Sequence, residues 1–160
     1  AAGSILFKED TDNGTNAVTL IGPAATADVT VTLPAAATTL AGLAVAQEYT
    51  ASQNFDEQAL TDGSSIDWNL QTQQVAKLTL TGTNRTLNAA TNHVAGLVCV
   101  LSIIQDGTGS RTIGTYNGTY KFAGGAAPTL TTTANARDIL VFISDGANLR
   151  EIGRSLNVPT

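Results

Sequence analysis

The longest apolar stretch of this 160-residue chain reads Leu97-Val98-Cys99-Val100-Leu101-Ser102-Ile103-Ile104, with one serine as its only polar residue. It has the length of a β-strand and lacks the alternation of apolar and polar positions that a half-exposed strand shows. The stretch therefore predicts a central strand covered on both faces. Ile139 to Ile143 predicts a second strand of this kind. Two fully buried strands are enough to centre an independent β domain.

Shorter strand patterns surround these two segments. Ile66, Trp68 and Leu70 alternate with polar residues, which is the pattern of a half-buried strand. Such signals recur about every eight to twelve residues, the spacing of an antiparallel β-sandwich or jelly roll. We therefore predict an all-β fold, with a sandwich or jelly-roll-like domain over residues 55–160. Further strands are predicted at 76–80, 111–116, 119–123, 129–133 and 149–152, and Asn117-Gly118 predicts a hairpin between the second and third of these.

The first 46 residues predict an extended arm rather than a second core. Residues 5–9 and 17–21 predict two strands, and Asn13-Gly14 between them favours a hairpin turn. Residues 28–33 place their apolar side chains on one face, and an exposed apolar stripe marks an interface. We predict that residues 1–46 form a β-hairpin arm for attachment and trimerisation, and that residues 47–54 form a linker. The predicted subunit or capsid interface consists of Val29, Val31, Leu33, Pro34, Leu40 and Leu43.

Charge and cysteine content argue against several classes of protein. Eight Lys and Arg stand against thirteen Asp and Glu, for a net charge of −5, so the chain offers no cationic field to nucleic acid. No run approaches the roughly 18 apolar residues of a membrane helix. One Cys and one His exclude an internal disulfide and the usual zinc sites. We predict no nucleic-acid partner, no membrane partner, no cofactor and no metal.

Few residues are suited to catalysis. His93 is the single histidine, and no nucleophile stands near it in the sequence, so we predict an exposed loop histidine rather than a general base. Cys99 lies inside the apolar stretch and is predicted to be a small buried side chain. Trp68 and Phe55 are predicted to be core anchors rather than ligand platforms. We therefore predict no catalytic residue and no enzymatic activity.

Most carboxylates and several arginines lie in turn-like contexts. An Asp beside Gly, Asn or Ser bonds its own backbone, so turn formation is favoured over a glycosidase pair. Asp106-Gly107-Thr108-Gly109 predicts such a turn, because it lacks the ligand run of a calcium loop. The arginines have two interpretations, contact with an acidic partner or solvated charges that protect sheet edges. The residues concerned are Glu9, Asp10, Asp56, Glu57, Asp62 and Asp67, and Arg111, Arg137, Arg150 and Arg154.

A series of short motifs runs through both halves of the chain. They include Asp12-Asn13-Gly14-Thr15-Asn16, Gly22-Pro23-Ala24, Thr32-Leu33-Pro34-Ala35, Ile66-Asp67-Trp68, Gln105-Asp106-Gly107-Thr108-Gly109-Ser110-Arg111-Thr112 and Pro128-Thr129-Leu130. In this order they resemble motifs of tailed-bacteriophage virion proteins, and the resemblance covers most of the chain. It implies a non-enzymatic homotrimer with no catalytic residue to carry over. Fibres, spikes and head decorations share these modules.

We therefore predict a virion surface protein, made in the host cytoplasm and located on the particle surface. Its predicted partners are its own copies and the major capsid protein or other virion proteins. The small size, with no long shaft, favours a head decoration or cement protein that binds and stabilises the shell. A tail-fibre or fibre-anchoring protein is the alternative. A carbohydrate-binding β domain is less favoured, because only 5% of the residues are aromatic and could stack on a sugar.

Overall fold

A computed structural model of the chain describes residues 4–8, 17–21 and 52–159. The chain divides into two compact units, Ala1–Glu48 and Tyr49–Thr160. In the first unit, strand β1 (Ser4–Lys8) pairs antiparallel with β2 (Ala17–Ile21). The pairing agrees with the two strands predicted there. The Asn-Gly turn and the predicted strand at 28–33 lie outside the described residues.

The second unit is all-β, as predicted. Its strands are β3 (Glu57–Leu60), β4 (Ser65–Ile66), β5 (Val75–Leu80), β6 (Arg85–Leu87), β7 (Val98–Gln105), β8 (Ile113–Tyr116), β9 (Tyr120–Lys121), β10 (Arg137–Ser144) and β11 (Leu149–Val158). A single 3-10 turn at Ala123–Gly125 is the only helical element among residues 52–159. The long sheet has the strand order β3-β5-β7-β10-β11-β9, and the short sheet has the order β4-β6-β8.

Strands β3 to β8 form three stacked coils, each with one strand in the long sheet and one in the short sheet. β3, β5 and β7 pair in parallel, and so do β4, β6 and β8. The prediction of an antiparallel sandwich was therefore wrong for these six strands. Equivalent positions of successive coils lie in register, so that Leu60 pairs with Leu78 and Leu78 with Ile103. This solenoid-like stacking places like side chains above one another in rows.

The last third of the unit changes from parallel to antiparallel pairing. β10 pairs antiparallel with β7 on one side and with β11 on the other, and the β10–β11 register shifts between Arg137 and Ile139 and again between Val141 and Phe142. A tight turn at Asp145–Asn148 joins β10 to β11. A short return is enough there because antiparallel neighbours need only a hairpin, whereas parallel neighbours need a crossover. The hairpin therefore ends the stack of coils.

One hydrophobic core lies between the two sheets. Trp68 and Phe142 are fully buried, with ring centroids 6.4 Å apart in an edge-to-face arrangement. The Trp68 Nε1 donates to the Gln73 carbonyl oxygen at 2.7 Å, so its polar atom is satisfied. The prediction of Trp68 as a core anchor is confirmed. The other apolar core residues are Leu60, Ile66, Leu70, Ala76, Leu78, Leu80, Leu87, Ala90, Cys99, Leu101, Ile103, Tyr120, Leu130, Leu140 and Leu149.

Three further predictions about single segments of the second unit were wrong. Asn117-Gly118 forms a corner between two sheets and not a hairpin, because β8 pairs with β6 whereas β9 pairs with β11. Residues 129–133 form no strand, although Leu130 is buried. Phe55 is 61% exposed and does not anchor the core. In each case the local residue types indicated an extended or apolar segment. Whether that segment pairs with another strand or packs in the core depends on the course of the chain through the coils.

Candidate functional site

The chain has three Asp-Gly pairs. In two of them, at Asp106 and Asp145, the Asp carboxylate binds backbone amides of its own turn and an arginine. The Asp106 carboxylate accepts hydrogen bonds from the Thr108 and Gly109 amides and lies 2.8 Å from the Arg111 guanidinium. Asp145 accepts from the Ala147 and Asn148 amides and pairs with Arg150 at 2.7 Å. The turn chemistry predicted for Asp106 is confirmed.

The carboxylate of the third Asp-Gly pair connects two coils. Asp62, at the corner after β3, accepts hydrogen bonds from the Thr81 amide at 3.1 Å and the Thr81 hydroxyl at 2.7 Å. It also accepts from Nε and Nη2 of Arg85 at 3.1 and 2.7 Å. Burial by itself raises the pKa of Asp62, but the bonds from Arg85 and Thr81 outweigh burial and hold the pKa below its usual 3.8. The charged form of Asp62 therefore ties the first coil to the second.

The C-terminal arginines do not form one basic patch. Arg111, Arg150 and Arg154 each pair with a carboxylate of their own segment, and Arg154 is bound to Glu151. The pairing with Asp106 raises the pKa of Arg111, so its charge is secured. Arg137 is half-buried, and its Nε is among the buried polar atoms of residues 52–159 without a hydrogen-bond partner. The ion pairs favour a role in stabilising turns over contact with an acidic partner.

His93 and Cys99 occupy protected positions. His93 lies in the loop before β7, but it is half-buried rather than exposed, with Nδ1 2.8 Å from the Ser144 hydroxyl. That hydroxyl also accepts from the Gly146 amide, and Ser144 is only 3% exposed, so a substrate cannot reach it. The sequence did not indicate this pair, because 51 positions separate the two residues. Cys99 is buried as predicted, and burial raises the pKa of its thiol to about 12.

A polar groove of about 380 Å³ lies on the first coil. Its walls contain hydroxyl, amide and carboxylate groups but no aromatic ring. Both of its carboxylates already have partners, Asp62 with Arg85 and Asp67 with the Asn88 amide. The groove offers hydrogen bonds without a stacking platform, which is a poor basis for carbohydrate binding. Its lining residues are Thr61, Asp62, Gly63, Ser65, Asp67, Asn69 and Gln73.

The outward face of strands β5, β7 and β10 in the long sheet is mostly apolar. On β10, buried residues alternate with half-buried ones, and β7 shows the same alternation except at Ser102, which is buried. The prediction that these strands are covered on both faces was therefore wrong. We define the outer face by the outward side chains of three strands. They are Val75, Lys77 and Thr79 on β5, Val98, Val100, Ser102 and Ile104 on β7, and Arg137, Ile139, Val141 and Ile143 on β10.

Sequence reasoning missed the outer face because both faces of β7 and β10 carry apolar residues. A run without alternation is equally compatible with burial on two sides and with one apolar face left open. The strand register distinguishes the two cases. It aligns Val75, Val100 and Val141 across three strands, and Val98 with Ile143 across two.

The predicted interface residues Val29, Val31, Leu33, Pro34, Leu40 and Leu43 all lie outside the described residues. Within residues 52–159, no group of three or more His, Cys, Asp or Glu side chains could hold a metal ion. The described part of the chain also contains no helix long and apolar enough to cross a membrane. Comparison with protein-family models, with curated proteins and with solved structures gives no match in any of the three.

Proposed function

We propose that this chain is a non-enzymatic surface protein of a tailed-bacteriophage virion. Its favoured role is capsid decoration, in which it binds the assembled head shell and stabilises it. The sequence motifs that resemble virion proteins are the origin of this proposal. Its partners are its own copies, in a homotrimer, and the major capsid protein or another virion protein.

The structural support for the proposal is that charged side chains stabilise turns and corners of the fold. Asp62, Asp106 and Asp145 each hold a turn or a corner and each pair with an arginine. Carboxylates that accept hydrogen bonds from backbone amides and guanidinium groups stay ionised, and an ionised carboxylate has no proton to donate as a general acid. This chemistry supports a scaffold that must persist on a particle rather than a site that turns over a substrate.

The attachment role is assigned to residues 1–46, as a hairpin arm. The described part of this segment is a two-stranded antiparallel sheet, and an isolated hairpin is marginally stable in water. A surface on the particle or on sister subunits supplies the missing packing. The stripe containing Val29, Val31 and Leu33 is the part of the arm that we assign to this contact.

The test is the location and number of copies on purified particles. Antibody-labelled electron microscopy and quantitative mass spectrometry of the particles measure both. Hundreds of copies on the head support decoration. A protein absent from purified particles, but abundant in infected cells, overturns the virion assignment.

A second test examines the arm. A variant that begins near Gln53 is compared with the full chain by circular dichroism and by binding to undecorated heads. We expect the shortened protein to stay folded and to lose binding. Retention of full affinity by a folded variant contradicts the assignment of attachment to residues 1–46.

One observation favours a tail fibre or fibre-anchoring protein as the second candidate. The three coils stack in parallel, with Leu60, Leu78 and Ile103 in one row. A stack of coils contacts only its neighbours and can be continued at an open end, which suits a shaft. The copy-number experiment separates the candidates, because a fibre protein is found on the tail in a few to a few dozen copies.

A further inference from the structure

We infer that the outer face of the long sheet is the surface through which copies of this chain contact one another. The inference rests on the proposed assembly role, and it identifies a self-association surface within the described residues. The contact chemistry is apolar side chains packed against the same side chains of a second copy.

The first observation is the concentration of apolar residues on this face. Val75, Val100 and Val141 lie side by side across three strands, and Val98 lies beside Ile143. All five are half-buried or exposed, and Val98 is 42% exposed. The inward neighbours Leu101 and Leu140, by contrast, are 0% exposed. The outer face therefore retains apolar surface that the fold of residues 52–159 does not cover.

The second observation is the size of the face. Strands of six to eight residues, with a rise of about 3.3 Å per residue and a spacing of about 4.8 Å, give three strands an area on the order of 400 Å². Seven of the eleven outward side chains on this footprint are apolar. The largest apolar patch of a typical soluble monomer covers about 300–600 Å² and is often functional, so this face is of a size that can serve as an interaction site. The face supplies about half of the roughly 800 Å² that each partner contributes to a standard interface. We therefore expect association that depends on protein concentration.

Charge identifies the occupant as a second copy. The outer face contains two charged residues, Lys77 and Arg137, and the Glu57 carboxylate lies at its edge beside Val75, so the face is close to neutral, whereas the whole chain has a net charge of −5. Two copies that approach through any acidic surface repel each other, and the outer face avoids this repulsion. Lys77 is already paired with Glu57 at 3.6 Å, on the neighbouring strand. An uncharged apolar centre also matches its own copy, because each side offers the same side chains to the other.

The test measures the mass of the full-length protein by light scattering across a series of micromolar concentrations. We expect a mass above 16.4 kDa that rises with concentration. Val141→Lys places an ammonium group in the centre of the face, and we expect at least about tenfold weaker association. Val94→Lys is the matched control, because Val94 is 67% exposed in the loop before β7 and lies outside the strands of the face.

Circular dichroism and thermal unfolding check that each variant is folded. If Val141→Lys does not fold, it is replaced by Val100→Thr, which keeps the shape of the side chain and exchanges one methyl group for a hydroxyl. A wild-type protein that stays monomeric over the whole series overturns the inference. A folded face variant that associates like the wild type and like Val94→Lys also overturns it. Particle binding is a separate measurement, so the failure of the virion proposal remains distinguishable from the failure of this one.

Discussion

The inner and outer faces of the long sheet use similar residues but lie in different environments. Inward side chains such as Leu78, Leu101 and Leu140 are 0% exposed and pack in the core. Outward side chains such as Val100 and Val141 are half-buried on the same strands. The inner face therefore contributes most to folding, whereas the outer face leaves apolar area at the surface. An apolar residue on a central strand can thus be a core residue or a surface residue, depending on whether its position along the strand is odd or even.

The largest expected difference comes from truncating neighbouring residues on the two faces. Leu101→Ala removes core atoms and leaves a cavity, so we expect it to lower the free energy of unfolding by about 2–5 kcal/mol. Val100→Ala, one position earlier, is expected to cost less than about 1 kcal/mol, because its site is half-buried. Urea denaturation at two protein concentrations measures both effects and separates folding from association. Equal losses for the two variants contradict the assignment of the faces.

The next effect concerns the corner that holds the coils in register. Asp62→Ala leaves Arg85 and Thr81 without their acceptor, and we expect a loss of about 1–3 kcal/mol. Asp67→Ala is the matched control, because among the bonds described Asp67 accepts only one solvent-exposed hydrogen bond, from the Asn88 amide. Chemical denaturation compares the two variants.

The ion pair of Asp62 with Arg85 makes the free energy of unfolding depend on pH. The folded pKa of Asp62 lies below its usual 3.8, so the unfolded chain binds the proton more tightly. The stability from Asp62 is therefore fully present above pH 3.8 and is lost as the pH falls through the lower, folded value. The wild type is expected to lose its advantage over Asp62→Ala below this range. A constant difference between pH 7 and the acid limit counts against the proposed ionised tie.

A smaller effect is expected at the turn after β7. Gly109 has a φ of +73°, and a side-chain Cβ there would lie 2.6 Å from the Thr132 carbonyl oxygen. Gly109→Ala is expected to cost about 1 kcal/mol or more, because both the backbone angle and the contact are unfavourable. Gly107→Ala in the same turn meets no atom within 4 Å and is the control. Thermal unfolding that moves equally for both variants contradicts this account of the turn.

The last prediction sharpens the comparison of the faces through thiol reactivity rather than stability. Burial raises the pKa of the Cys99 thiol to about 12, so folded wild-type protein is expected to resist thiol reagents at pH 8. Val98→Cys, made together with Cys99→Ala, places the thiol one residue away on the outer face, where the native side chain is 42% exposed. We expect it to react readily, and more slowly at concentrations where copies associate. Rapid labelling of wild-type Cys99 in the folded protein contradicts the inward orientation of that position.

The sequence predicted those features that depend only on residues close together along the chain. Alternation around Trp68 predicted its burial, the apolar run predicted β7, and Asp106 beside Gly107 predicted a turn. These features depend on the side-chain period of a strand and on the short reach of an Asp side chain to its own backbone. The all-β class followed from the same local signals.

Pairing between distant segments was decided by tertiary structure alone. The sequence does not distinguish a strand that pairs with its successor in parallel from one that pairs antiparallel, so the coils of β3 to β8 were predicted as a sandwich. Asn117-Gly118 suits a hairpin, yet β8 and β9 join different sheets because their partners β6 and β11 are already fixed elsewhere. The contact between His93 and Ser144, and the outer face itself, depend on the same long-range register. Local propensity determines which residues extend and turn, whereas the packing of one shared core determines which strands meet and which apolar side chains are left at the surface.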